Sequence, residues 1–316
     1  MTETEHPLGF APEWDAPVPY IERTHAWYDA LGTGNPYRYA QYADVPFAPL
    51  RRPLTQCRVA LLTTAAPYQP GQGPQGAGAA YNASAKFYAV YSGDASVDHD
   101  LRVSHVAIDR DHITDDAQTW FPLPALRAAA ARGRIGALAP RFHGVPTNRS
   151  QRHSLAVDCP ELLDRLRADA ADAAVLVANC PVCHQTMSLA ARHLEAAGIA
   201  TVVMGCAKDI VETCGVARFV FSDFPLGHAA GRPWDEASRH ATLELALALL
   251  ERAFAPRTTV QNPLRWPGDG RWKLDVLDPA RLTADELARQ RAELARTKAD
   301  AQAVRDRTLK AGSARR

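Results

Sequence analysis

The stretch that decides the fold is DAAVLVANCPVCHQTMSLAARHLEAAG, residues 172–198. AAVLVANC, 173–180, is a short apolar run with β-branched valines and predicts a buried strand. CHQTMSLAARHLEAAG, 183–198, sets Met187, Ala190, Ala191 and Leu194 on one helical face and stops at Gly198. Strand passes almost directly into helix, with a Cys-Pro-Val-Cys-His cluster at the junction.

The same alternation extends outward from this unit. IATVVMGC (199–206) predicts a strand, AKDIVETCG (207–215) a short helix and ARFVFSDF (217–224) a last strand. ASRHATLELALALLERAF (237–254) predicts a long helix. Upstream, PELLDRLRADA (160–170) is helical. So is FPLPALRAAAARGRIGAL (121–138), with Pro122 and Pro124 near its start and Gly133 near its end. CRVALLTT (57–64) is the first convincing strand, and KFYAVYS (86–92) and LRVSHVAID (101–109) read as further ones. Strands alternating with helices predict an α/β fold, doubly wound, with a mostly parallel sheet covered by helices on both faces.

Two flanking segments differ from this core. Residues 1–56 hold Trp14, Tyr20, Trp27, Tyr28, Tyr37, Tyr39 and Tyr42 with little periodicity beyond a short helix near 20–31. They read as an irregular arm that packs its aromatics on a surface. From Leu282, Thr283-x-x-Glu286 forms a capping box before a helix dense in charge. Its sparse stripe of Leu287, Leu294 and Val304 suits a solvated helix leaning on a partner subunit. The expected division is therefore an arm (1–56), a catalytic core (57–266) and a charged C-terminal helix (267–316).

The chain has 316 residues, 47% of them hydrophobic and 22% charged, enough for a sizeable core. A formal charge of +1 gives no general attraction for nucleic acid or anionic membrane. No apolar run approaches the ~20 residues of a membrane span, and MTETEHPLGFAPEWDAP has neither part of a signal peptide. A cytoplasmic protein is expected. Six cysteines are too sparse for a disulfide scaffold, so a close pair points to catalysis or metal binding. Gly71, Gly73 and Gly76 spell G-x-G-x-x-G, but they lie well past their strand and surround Pro74. A substrate-covering loop fits better than a dinucleotide site.

Cys180 falls at the carboxyl end of its strand, where open α/β sheets bind ligands. Cys183 and His184 open the next helix, whose N-terminal dipole and free N–H groups stabilise a thiolate. Pro181 suits a helix entry. Three readings stay open for the cluster. It could be a nucleophile (Cys180) with a resolving thiol (Cys183), a metal site that recruits Cys206 from the next strand end, or a pair of buried small residues. Among the histidines, His105, His143 and His228 sit at strand ends or in Gly-bearing loops, where function gathers. With Thr63, Thr64, Gln185 and Asp223 they form the expected substrate-binding set. Cys57 and Cys159 read as structural, and Cys214 is undecided.

The order of motifs resembles the selenoprotein B family of the glycine, sarcosine, betaine and D-proline reductases, especially the proline branch. The matching text includes RVALLTTAA, VSHVAIDRD, FPLPALRAAAARGRIGALAPRFHG, DAAVLVANCPVCHQTMSLAARHLEAAGIATV and RFVFSDFPLGHAAGRP, over roughly residues 57–266. In that family a selenocysteine attacks the α-carbon of an amino acid held as a Schiff base on a separate subunit's pyruvoyl group. A nearby thiol then regenerates the selenol. The resemblance places the proline branch's selenocysteine on Cys180, with Cys183 resolving; the glycine branch's would fall near Val177.

With no selenocysteine, three functions follow. The first is a thiol-dependent reductase of a small amino-acid-derived substrate, with His184 or His105 supplying a proton and an external, thioredoxin-like dithiol resetting the pair. The second is a desulfhydrase or hydrolase on a thio-substituted or cyclic amino-acid derivative, using zinc or another metal held by Cys180, Cys183, His184 or Cys206. The third is a non-catalytic subunit of a reductase complex. A homo-oligomer or a second subunit is expected, and a nucleic-acid or membrane partner is not.

Overall fold

A computed structural model describes residues 11–33, 37–68, 70–71, 87–103, 108–109, 116–147 and 149–313. Its centre is a sheet ordered β10-β9-β8-β7-β1-β6-β3. In chain order the strands are β1 (Arg58–Thr63), the short β2 (Ala66–Pro67), β3 (Tyr91–Asp94), β4 (Leu101–Arg102), β5 (Ala137–Leu138) and β6 (Arg141–Gly144). They continue with β7 (Ala173–Val177), β8 (Ala200–Gly205), β9 (Arg218–Phe221) and β10 (Thr258–Gln261). Every pairing within the large sheet is parallel except β3 on β6, and β2 pairs with β4 apart from it.

The helices are α1 (Tyr20–Ala30), α2 (Leu123–Ala131), α3 (Gln151–His153), α4 (Cys159–Ala168), α5 (Pro181–Ala196), α6 (Lys208–Cys214), α7 (Glu236–Arg252), α8 (Trp272–Asp275) and α9 (Ala284–Ser313). α4, α5 and α6 pack side by side with α1 against α6, while α2 packs on α7 over β8 and β9. The doubly wound fold expected from the sequence is the fold observed. β7 and β1 are buried along their length, save Arg58 at the start of β1, as strands covered on both faces must be. From β1 the chain leaves through α2 to β6 on one side, and from β7 through α5 to β8 on the other. The β1–β7 junction is thus the topological switch point.

Several expected boundaries shift. The strand expected at 86–92 is β3, which begins only at Tyr91; of 101–109, only β4 is strand among the described residues. The helix expected over 121–138 ends at Ala131, and its tail supplies β5 beside β1. β9 is not the last strand: TTVQ adds β10 at the edge, too short and polar to announce itself. The helix expected from 160 is approached through α3 and a π-turn over Ser154–Asp158.

α5 is the larger surprise. An amphipathic helix was expected, yet 14 of its 16 residues are buried. The arm supplies the cover. Gln185, Ser188, Arg192 and Glu195 form a polar stripe at helical spacing, and residues 37–48 run along it. Gln185 accepts from Ala40 N–H and donates to Tyr37. Arg192 donates to Asp44 O at 2.7 Å and lies 3.9 Å from the Tyr42 ring centre. Glu195 accepts from Ala48 N–H. Beneath them Glu195 pairs with Arg218 at 2.9 Å, both side chains fully buried, and Arg218 reaches Ala48 O at 2.8 Å.

Val18, Tyr20, Trp27 and Leu31 from the arm belong to the same hydrophobic cluster as the sheet. At the other end Thr283 and Glu286 close the expected capping box. Leu287 and Leu294 of α9 lean on this chain's own core, and Arg291 donates to Ala30 O. No helix among the described residues is long and apolar enough to cross a membrane.

Candidate functional site

Four strand ends meet at the carboxyl crest of the sheet. β1 delivers Thr63 and Thr64, β7 Asn179 and Cys180, β8 Cys206, and β9 Asp223 with the loop to His228. Across the switch point the Asn179 amide donates to Thr64 Oγ1 at 3.1 Å. Thr63 Oγ1 is taken by Ala65 N–H at 3.1 Å, closing the turn after β1.

Cys180 caps α5: its backbone is extended and its sulfur accepts from Cys183 N–H at 3.2 Å. Pro181 takes the first helical position, where no N–H is required. The Cα atoms of Cys180 and Cys183 lie 4.8 Å apart and the two sulfurs are joined as a disulfide, nearly buried.

His184 is committed at both nitrogens. Nε2 accepts from Cys206 N–H at 2.8 Å and Ala207 N–H at 3.1 Å, so it carries no proton. Nδ1–H therefore donates to Cys180 O at 2.7 Å. Burial pushes the ring's pKa down to about 4, against a small upward pull from that carbonyl. The neutral imidazole is a clasp joining the end of β8 to the start of α5. A Cβ on Gly205 would come within 2.6 Å of this ring, which is why glycine stands there. The arrangement suits orientation rather than proton donation.

Cys206 is buried, and burial raises its pKa, opposed by N–H groups of His228 and Phe224 directed at the sulfur. His228 is fully buried, 3.2 Å from Asp109 and 4.6 Å from the Trp266 ring centre. Asp223 pairs with Lys273, which also donates to Ala16 O at 3.1 Å, so α8 and the arm close over this edge. Beside it a cavity of about 620 Å³ is lined by Trp14, Asp223, Asn262, Trp266 and Lys273 among others.

Two of the expected substrate contacts are engaged elsewhere. Gln185 is held by the arm. His143 takes Ser92 Oγ–H at Nδ1 (2.8 Å) and gives Nε2–H to Asp169 (3.0 Å), and Arg141 and Arg165 complete this edge network. His105 lies outside the described residues, as do Gly73 and Gly76. Cys57 donates to the carbonyls of Arg52 and Pro53, and burial pushes Cys159 and Cys214 up to about 12, as inert packing thiols. Among the described residues no three His, Cys, Asp or Glu side chains are grouped to hold a metal ion. With both of its nitrogens occupied, His184 is not placed to ligate a metal ion.

Sequence reasoning missed Asn179, Asp109, Tyr20, Trp266 and Lys273. Asn179 had a signal, standing immediately before Cys180 at a strand end. Asp109 closes the VSHVAID run. The other three come to the crest from segments distant in sequence.

Acid should loosen this region. Burial also lowers His143 to about 4, partly offset by Asp169. Both histidines then hold fewer protons folded than unfolded, where the imidazole pKa is ~6.5. Their contribution is complete above pH ~6.5 and is lost as pH falls toward about 4. Urea midpoints across that window should drop steadily. A flat profile would mean that the fold holds neither ring neutral.

No protein-family model matches the chain, and no solved structure does. Two curated proteins do. The D-proline reductase subunit gamma of Acetoanaerobium sticklandii is 30% identical over 189 residues, 59% of this chain and 75% of that one. The glycine reductase complex component B subunit gamma of Carboxydothermus hydrogenoformans is 28% identical over 155 residues, 48% of this chain but 35% of that longer protein. Because 30% identity extends over three quarters of the first relative, the resemblance read from the motifs is borne out, and the chain belongs to the D-proline/glycine reductase family.

Proposed function

We propose that this chain is the thiol-bearing subunit of a reductase assembly acting on a small amino-acid-derived substrate, with Cys180 as nucleophile and Cys183 as resolving thiol. The observation that carries this is the pair itself: two sulfurs already within bonding distance, at a helix N-terminus beside the switch point of a parallel sheet. The relatives, both subunits of amino-acid reductases by name, support the reaction class and a second-subunit partner.

The chemistry balances as follows. Cys180 thiolate displaces a leaving group from a substrate carbon that neighbours a carbonyl, forming a C–S bond. Cys183 thiolate attacks the Cys180 sulfur; the C–S electron pair returns to carbon as an enolate, which takes a proton, and a disulfide forms. An external dithiol of the thioredoxin type reduces it. His184 holds the geometry and leaves the proton to another donor.

The test uses dithiothreitol as electron donor and amino acids of both chiralities, with the chain alone and with co-purifying subunits. Cys180→Ser should lower turnover more than about a thousandfold, as loss of a nucleophile does. Cys183→Ser should stop after one event with substrate mass retained on Cys180. Turnover that survives in Cys180→Ser, or that a chelator removes while both thiols stay free, would overturn the proposal.

A further inference from the structure

Three consecutive apolar residues face solvent at one point of the fold. Leu155 and Val157 are 38% and 40% exposed, and Ala156 between them is exposed as well. They form the outer side of the π-turn Ser154–Asp158, whose two end residues are buried. Such turns are rare and gather at functional sites. Contiguous apolar side chains left in water inside a polar rim mark a contact surface.

The turn lies beside the disulfide. α4 and α5 both start at the carboxyl crest and run side by side to the opposite edge, where Asp169 O, at the end of α4, accepts from Arg58 at the start of β1 (3.1 Å). The π-turn immediately precedes α4 and packs on α5, so it stands level with the turn that holds Cys180 and Cys183. Hydrogen bonds trace the same path. Gln185 holds Tyr37 and Ala40, and between those two residues Arg38 O accepts from Gln151 Nε2 at 2.7 Å. The rim is basic: Arg38, Arg149 and Arg152 are exposed, with the Arg149 guanidinium 5.0 Å from the Tyr28 ring centre. Neither residues 31–43 nor residues 145–157 contain an Asp or Glu, although the whole chain carries a formal charge of only +1. The positive field is local to this surface.

We propose that Arg38, Arg149, Arg152, Leu155 and Val157 form the docking surface for an acidic protein dithiol that reduces Cys180–Cys183. The inference deepens the function proposed above and rests on it for the role of the pair. Cys180 and Cys183 are 2% and 5% exposed, so a protein reductant must be placed against them rather than collide at random. The size of the surface selects this partner over a permanent subunit. Obligate interfaces bury roughly 2,000 Å² or more and are largely apolar, whereas redox encounters are small and steered by charge. In the docked complex a partner thiolate attacks one sulfur of the pair and forms a mixed disulfide. The partner's second thiolate displaces it; two electrons and two protons leave Cys180 and Cys183 as thiols, and the partner keeps the new disulfide.

The test compares two reductants of the oxidised chain: a thioredoxin of net negative charge, kept reduced by its own reductase, and dithiothreitol, which needs no docking. Alkylation of quenched samples and mass spectrometry of the peptide carrying Cys180 and Cys183 give each rate. With thioredoxin, Arg38→Glu combined with Arg152→Glu should slow reduction about tenfold or more, the scale of electrostatic steering. Raising salt from ~20 to ~200 mM should slow the wild-type reaction in the same sense. Leu155→Ser combined with Val157→Ser should slow it severalfold. With dithiothreitol both double variants should match wild type. The inference is overturned if either double variant keeps the wild-type thioredoxin rate, or if salt leaves that rate unchanged. It is equally overturned if the dithiothreitol rates fall in parallel, which would trace the effect to the pair itself. Cys180→Ser keeps the two proposals apart. Variant-sensitive reduction by thioredoxin with turnover intact in Cys180→Ser sinks only the thiol mechanism, whereas thiol-dependent turnover with variant-insensitive reduction sinks only the docking surface.

Discussion

Glu195→Ala should destabilise the protein by roughly 3–5 kcal/mol, the range found when one member of a buried ion pair is removed. Arg218 would be left with its guanidinium fully buried and without a counter-charge. Ala48 N–H, Thr201 N–H and the Thr201 hydroxyl would lose their acceptor as well. Burial pushes the Glu195 pKa up and that of Arg218 down, so each charge persists only through the other. Measured against a total stability of about 5–15 kcal/mol, the loss would bring the chain near its unfolding threshold. Urea denaturation gives the magnitude. An apolar double replacement, Glu195→Leu with Arg218→Met, should recover most of it, because no charge is then stranded. A single variant that is no weaker than the double would show that the pair is solvated in solution.

His184→Ala should rank next, at roughly 3–5 kcal/mol. Two main-chain N–H groups, those of Cys206 and Ala207, lose their buried acceptor at about 1–3 kcal/mol each, and a ring-sized cavity adds to the cost. Turnover should fall with it, since the start of α5 is no longer tied to β8. Added imidazole should restore nothing if the ring is a clasp; rescue by imidazole would return His184 to the role of proton donor. Gly205→Ala approaches the same lesion from the other side, its new methyl meeting the ring at 2.6 Å. Both variants should show a shifted reduction potential for Cys180–Cys183, a readout that simple loss of folded protein would not move.

The sequence was most legible where one element decides its own fate. β7, β8 and the start of α5 were evident because apolar runs and a strand-to-helix junction are local signals. The location of Cys180 at a strand end followed from the same pattern. What escaped was set by distant apposition. Gln185 reads as a site residue beside His184, but helical geometry turns it toward the arm, away from the crest. His143 sits at a strand end as expected, yet its ring is consumed by Asp169 and Ser92. Tyr20 had no signal at all, because nothing in residues 20–31 says which side chains α1 will meet. The polar stripe on α5 misled in the opposite sense: Arg192 and Glu195 look like a solvent face and are instead a docking rail.

That rail has a consequence for synthesis of the chain. The arm leaves the ribosome before its partners on α5, which follow ~145 residues later, and Arg218 lies 170 residues beyond Ala48. At about 5–20 residues per second the arm waits roughly 10–30 s before the surface it covers exists. During that interval its tyrosines and tryptophans are unsheltered and depend on chaperones or on transient local clusters. The arm is thus made well before the surface it covers and is among the last segments to settle, and replacing its codons with slower ones should change the yield of folded protein far less than slowing translation just after residue 218.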